Sequence, residues 1–278
     1  MRKAQTNEVQ GTKEEFLSFF RELCGSKTEW QVWEDIISMM ADAISNSVDK
    51  THYEKREEDY MHRVKGYKNT EVLSKLLPNL TLAYEKNPCR DYLGEIYQDL
   101  GLSSHWRGQF FTPISVCQMM AKMQLKDAAE KIEKQHWITI NDPACGAGAT
   151  LIVAANTLHI DYNINYQTSA LFVANDIDPV TAKMCYIQLS LLGCPGYVAV
   201  ADTLCDPVVG DVLSPVEKET QDFWYTPMYF SDVWVYRRVF RNMDRLFSRP
   251  PCLSCKTIEK KDEVVESYQM DISEFLAT

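Results

Sequence analysis

A chain of 278 residues, 45% of them hydrophobic, is long enough for one sizeable α/β domain and a smaller companion. No stretch approaches the ~20 uninterrupted apolar residues of a membrane-spanning helix, and no apolar run follows the opening Met1-Arg2-Lys3, so a cytoplasmic location is expected rather than a membrane or secreted one. The formal net charge of −10 argues against a stand-alone DNA-binding protein, because DNA affinity rests on Lys and Arg neutralising phosphates, and nine scattered cysteines fit reduced thiols better than a disulfide framework.

Residues 1 to about 12 read as disordered. From Lys13 the pattern is helical, with Phe16, Phe19, Phe20 and Leu23 on one stripe and Gly25 as terminator. Thr28 opens a second helix whose apolar face is Trp30, Trp33, Ile36, Ile37 and Met40. Further helices are predicted over Tyr53–Val64, Glu71–Leu77 and Asp91–Leu100, so residues 1–105 form a helical N-terminal subdomain. The basic residues between Lys50 and Lys68 alternate with Glu54, Glu57, Glu58 and Asp59, which favours a solvated helix face over a DNA contact.

Residues 106–248 carry the chemistry. Gly108-Gln109-Phe110-Phe111-Thr112-Pro113 offers an aromatic wall, a hydroxyl and a proline suited to the first turn of a helix over Ile114–Met123. Met119, Met120 and Met123 of that helix are expected in the core. A strand over His136–Ile140 then runs into Asn141-Asp142-Pro143-Ala144-Cys145-Gly146-Ala147-Gly148-Ala149-Thr150, followed by a helix over Leu151–Leu158. Strand, tight glycine turn and helix are the opening of a nucleotide-binding βαβ unit. Gly146 and Gly148 let the backbone turn sharply and a ligand approach closely. A second apolar strand, Leu171–Asn175, ends in Asp176-Ile177-Asp178-Pro179, about one βαβ repeat further on. An acid at that place can hold ribose hydroxyls, while Asp178 and Pro179 suit the N-cap and first position of the next helix. A third strand, Tyr197–Ala201, ends in Asp202. The competing reading of Asp142 is a helix cap, and of Asp176 and Asp202 a turn residue.

The segment Asp-Pro-Ala-Cys-Gly-x-Gly, the upstream Gly-Gln-Phe-Phe-Thr-Pro and the two later strand-ending acids, in that order, resemble S-adenosylmethionine-dependent DNA methyltransferases of the adenine-N6 group. The modification subunits of type I restriction systems are the most similar. The resemblance covers Gly108 to about Leu204. It implies a Rossmann-like methyltransferase fold with a mostly parallel sheet and S-adenosyl-L-methionine as cofactor. Phe110, Phe111, Thr112 and Pro113 would cover the methionine end of the cofactor. Asp142, Pro143, Ala144, Gly146 and Gly148 would form the cradle. Asp176 would take the ribose, Ile177 would pack on the adenine, and Asp202 would reach the exocyclic nitrogen. DNA, and a specificity or restriction subunit, are the implied partners.

One family part is missing. These enzymes hold a flipped adenine with (Asn/Asp/Ser)-Pro-Pro-(Tyr/Phe/Trp), because the target nitrogen is out of reach in a stacked duplex. The Pro-Pro pair here, Pro250-Pro251, lies between Arg249 and Cys252 and reads as a linker. The aromatic stretch Asp222–Phe230 is either a replacement stacking surface or a packing edge, and the packing edge is preferred. No catalytic residue is assigned. Cys252 and Cys255 form a Cys-x-x-Cys that lacks two further zinc ligands, so no metal is expected. On the predicted helix Asp232–Phe247, Arg238, Arg241 and Arg245 share a face and are the better DNA candidates. Residues 249–278 read as a polar tail. The expected function is methyl transfer to adenine in DNA; the alternative is a silent or partner-dependent cofactor-binding subunit, and a non-DNA substrate stands as a third reading because fold does not fix substrate.

Overall fold

The computed structural model describes residues 10–25, 27–102, 112–247 and 268–269. Five helices open the chain: α1 (Lys13–Cys24), α2 (Glu29–Asn46), α3 (Tyr53–Val64), α4 (Thr70–Lys86) and α5 (Tyr92–Asp99). Their starts follow capping chemistry. Thr12 accepts from the Glu15 backbone N–H, Thr28 and Gln31 form a reciprocal capping box, and Asn69 and Asp91 cap α4 and α5. Thr12 is therefore ordered, and the Gln10 and Gly11 N–H groups bond to Glu15, so the disorder expected to residue 12 does not extend over residues 10–12. Phe16 and Phe20 of α1 meet Trp33 of α2 edge to face at 6.4 and 6.0 Å. Each such fully buried aromatic contributes roughly 1.5–3 kcal/mol.

Two expectations for this region change. The helix predicted to end at Leu77 continues through Pro78 to Lys86. An interior proline costs about 3 kcal/mol, and here the burial of Leu76, Leu80, Ala83 and Tyr84 offsets it. Arg56, expected on a solvated face, is 3% exposed. Its guanidinium donates to Ser45, to Asp49 at 3.0 Å and to the Phe223 carbonyl, and lies 4.0 Å from the Trp224 ring centre. It ties the helical segment to the sheet.

The α/β part comprises α6 (Ile114–Gln124), α7 (Ala128–Gln135), β1 (Ile138–Asp142), α8 (Ala149–Asn156), α9 (Tyr166–Ser169), β2 (Ala170–Asp176), α10 (Pro179–Leu191), β3 (Gly196–Val200), the hairpin β4 (Val209–Asp211) and β5 (Ser214–Val216), β6 (Asp222–Tyr225), α11 (Asp232–Phe247) and β7 (Tyr268–Gln269). The sheet runs β6-β3-β2-β1-β7 and is mixed: β7, β1, β2 and β3 are parallel, and β6 is antiparallel to β3. Tyr268 and Gln269 therefore form the outermost strand among the described residues, inside what reads as a polar tail.

Period-two alternation divides the strands between two cores. Ile138, Ile140, Phe172, Ala174 and Val198 face α8 and α10, and this core is continuous with the helical segment. Leu171, Val173, Tyr197, Ala199 and Phe223 face the other way, with Tyr229 and Trp234. Helix α8 is apolar on all sides and buried on all sides, from Ala149 to Ala155. Helix α6 packs on α8 with its small residues Cys117 and Ala121, so Met119 and Met123, expected in the core, are 45% and 59% exposed among the described residues.

Candidate functional site

The site is the loop edge where β1, β2 and β3 end. Pro143 to Gly148 turn the chain from β1 into α8. Gly146 and Gly148 have φ of +52° and +94°, a region that side chains disfavour. At Gly148 space forbids a side chain as well: an added Cβ would lie 2.7 Å from Cys185 Sγ on α10.

Two carboxylates build this loop. Asp142, 2% exposed, accepts from the Thr150 hydroxyl and from the Ala144 N–H at 3.1 Å. Burial pushes its carboxyl up, opposed by those two hydrogen bonds. Asp142 thus braces the turn against the first turn of α8. Asp176 reaches across from β2 and accepts the Gly146 N–H at 2.7 Å. Its other oxygen accepts from Asp178 N–H at 2.9 Å and the Thr181 hydroxyl at 3.2 Å. Burial raises this carboxyl too, again against its hydrogen bonds. Asp178 caps α10 through the Val180 and Thr181 N–H groups, with Pro179 in the first turn. Ile177, between the two acids, is 70% exposed.

The third strand closes on the same edge. The Ala201 N–H donates to the Asp176 carbonyl at 3.1 Å, and the Thr203 hydroxyl to the Pro143 carbonyl at 2.7 Å. Asp202 accepts from the Cys205 and Leu204 N–H groups at 3.0 and 2.9 Å, and these bonds hold its carboxyl below the usual range. It is an ionised acceptor at the surface. Pro113 is the N-cap of α6, one residue before the turn expected for it, and the Thr112 carbonyl lies 3.7 Å from Cys117 Sγ. Phe110 and Phe111 lie outside the described residues.

The structure therefore brings Asp142, Pro143, Ala144, Gly146, Gly148, Asp176, Ile177 and Asp202 to one edge, but Asp142 and Asp176 work as loop supports as well as ligand candidates. Four supports had no sequence signal of their own. Thr150 and Thr181 satisfy the two acids, Thr203 ties two loops together, and Gln188 of α10 donates to the Ala147 carbonyl at 2.7 Å and to Asp91 at 2.8 Å. Gln188 also accepts from Leu93 N–H at 2.9 Å and from the Tyr84 hydroxyl, so the glycine loop is anchored to α4 and α5.

The stretch Asp222–Phe230 is not at this edge. Strand β6 lies beyond β3, on the side away from β1. Phe223, Trp224, Tyr225 and Tyr229 are all under 9% exposed, so the stretch is a packing edge. The arginines of α11 are engaged within the chain: Arg238 donates to the Tyr229 carbonyl at 2.8 Å, and Arg241 and Arg245 reach Asp211 at 3.0 and 3.2 Å.

A strand, glycine turn and helix braced by acids from two adjacent strand ends define a mixed α/β protein with a candidate site at its strand ends. The family model for N-6 DNA methylase matches residues 89–253, more than half of the chain, and the chain belongs to that family. No curated protein and no solved structure matches it.

Proposed function

We propose that the chain binds S-adenosylmethionine at the strand ends in a Rossmann-like methyltransferase fold and serves adenine-N6 methylation of DNA. The observation that carries this reading is Ile177, an exposed aliphatic side chain set between two acids at the tip of β2. It supplies an apolar face for an adenine ring. A carboxylate has about four acceptor positions; Asp176 uses three on Gly146, Asp178 and Thr181, leaving one for a ribose hydroxyl. Asp202, ionised at the surface, suits the exocyclic amine of the same base. Gly146 and Gly148 admit the ligand to the backbone, and Thr112 and Pro113, with Phe110 and Phe111, would cover its methionine end. The cofactor supplies an electrophilic methyl group. The target amine would bond to that methyl as the methyl–sulfur bond breaks, the electron pair leaving with sulfur as a neutral thioether, and the amine would release its proton to solvent.

A second reading, a partner-dependent or silent cofactor subunit, is favoured by one observation. Among the described residues, the aromatic stretch that would stand in for the family's tetrapeptide, Asp222–Phe230, packs beyond β3 with Phe223, Trp224, Tyr225 and Tyr229 buried. Base capture would then come from a partner chain.

Calorimetry with S-adenosylmethionine, followed by tritiated-methyl transfer to unmethylated DNA, tests both readings. Ile177→Ser is the informative variant, because the side chain is exposed and its loss leaves the loop intact. Binding near the micromolar order, about −8 kcal/mol, that weakens in Ile177→Ser supports the site. Transfer by the chain alone supports the enzyme, and binding without transfer supports the subunit. An absence of binding by the wild type would sink the cofactor reading.

A further inference from the structure

Helix α11 is inverted for a surface helix. An amphipathic helix ordinarily lays its apolar stripe on the body and its charges in water. Here Trp234 is wholly buried. On the same side Arg238 donates to the Tyr229 carbonyl, and Arg241 and Arg245 reach Asp211. With 3.6 residues per turn, Tyr236, Val239, Phe240 and Met243 fall on the opposite side. Tyr236 and Phe240 are 62% and 63% exposed, Val239 and Met243 are 47% and 43%, and Val233 and Val235 beside them are 38% each. The stripe carries no charged residue between Val233 and Met243, because Arg237, Arg238 and Arg241 project elsewhere on the helix.

Size, spacing and charge together point to the occupant. At about 150–250 Å2 for a whole aromatic side chain, the six exposed residues offer roughly 500 Å2 of apolar surface, the size that marks an interaction site rather than scattered surface residues. Two such faces together would lose about 1,000 Å2, the threshold for a specific interface. Tyr236, Val239, Phe240 and Met243 follow one another at steps of three, one and three residues. The pattern reads the same from either end, about a midpoint between Val239 and Phe240 that is also the midpoint of α11. A two-fold pairing needs a face that matches its own reverse. In an antiparallel pair Tyr236 is level with Met243 of the second copy, and Phe240 with Val239, so each ring meets a thioether or a small aliphatic group. A membrane surface fits less well. A lipid-bound helix presents basic residues beside its apolar face, whereas here three arginines point inward and Arg237 is held 4.3 Å from the Trp234 ring centre.

We infer that α11 is a self-association surface, on which α11 of a second copy lies antiparallel. The inference does not depend on the cofactor reading, because none of these residues lies at the strand ends.

The test is sedimentation velocity of the full chain from about 1 to about 300 µM. An interface of this size is at the weak end of specific association, so a monomer–dimer equilibrium on the order of 10 µM is expected. Phe240→Asp should weaken pairing about tenfold or more and leave the unfolding midpoint unchanged. Tyr236→Lys repeats that test should Phe240→Asp fail to fold. Met243→Glu should weaken pairing as well, and a mixture of Tyr236→Lys with Met243→Glu should recover pairing that neither shows alone, because the introduced charges are opposite in sign and level with each other. The inference is overturned if wild type stays monomeric at the highest concentration, if Phe240→Asp and Tyr236→Lys pair as wild type does, or if the mixture shows no recovery. A monomeric wild type whose unfolding midpoint falls in Phe240→Asp would put another part of this chain on the stripe. Phe240-dependent flotation with phosphatidylglycerol vesicles, without a dimer, would put a membrane there. Either result overturns the inference.

Discussion

Replacing Gln188 with Leu should show how the glycine loop depends on the helical segment. Gln188 is wholly buried and makes four hydrogen bonds, to Ala147, Asp91, Leu93 and Tyr84. Leucine is near in volume, so the change leaves little cavity and isolates the polar loss. Each stripped buried group costs about 1–3 kcal/mol before relaxation. Asp91 keeps the Gly94 N–H at 2.9 Å, and the others can shift, so a net loss of about 3–5 kcal/mol is expected. That is a large share of the roughly 5–15 kcal/mol of a whole domain. Burial already raises the Asp91 carboxyl, and Gln188 opposes that rise. Without Gln188 the folded carboxyl rises further above its unfolded value. The penalty is then greatest where Asp91 is ionised, and stability recovers as pH falls through its folded pKa. Urea unfolding at neutral and acid pH measures this, and hydrogen exchange at Ala147 and Gly148 reads the loop locally. A loss under about 1 kcal/mol, or strict additivity with Tyr84→Phe, would refute the network argument.

Three further outcomes follow from the same packing. Gly148→Ala should cost about 2–4 kcal/mol, from the positive φ and the clash with Cys185 Sγ together, and Cys185→Ala should restore only the steric part; thermal unfolding of the two single variants and the double variant measures both. Asp42, 3% exposed, has its carboxyl pushed up to about 6 by burial, with Lys183 opposing. Between its unfolded pKa near 4 and its folded pKa the native state holds the extra proton, so stability falls as pH rises through that window, by up to ~3 kcal/mol; Asp42→Asn should flatten the curve, and a slope equal to wild type would refute the assignment. Arg56→Ala should cost about 3–5 kcal/mol by leaving the Asp49 carboxylate and the Phe223 carbonyl without their buried donor, and a loss below 1 kcal/mol in chemical denaturation would count against that role.

Much of the strand-end site was legible because its signals are local. Glycines with positive φ, a proline after an N-cap and apolar runs ending in acid are written in consecutive residues. Helix starts at Thr28 and Asp178 were legible for the same reason. What stayed hidden was tertiary. Pro78 reads as a stop, and only the burial of Leu80 and Tyr84 carries α4 past it. Arg56 sits among acids that suggest solvent, and its partners Phe223 and Trp224 are far along the chain. Tyr268 and Gln269 sit in a polar stretch, and only pairing with β1 makes them a strand.

The two Asn-Asp pairs show how one local pattern can serve two faces of a sheet. In Asn141-Asp142 and Asn175-Asp176 the acid draws attention, because strand-end acids bind ligands. Once β1 and β2 are paired in parallel, the acids are committed to the helix-covered face and must find hydrogen-bond donors there, which N–H and hydroxyl groups supply. That commitment turns both amides to the face where α11 and the hairpin leave a cavity. A strand register one residue different would exchange these roles. The loop that the acids brace and the cavity that the amides line are thus set by the same register, and a variant that disturbs the pairing of β1 with β2 should lose both together.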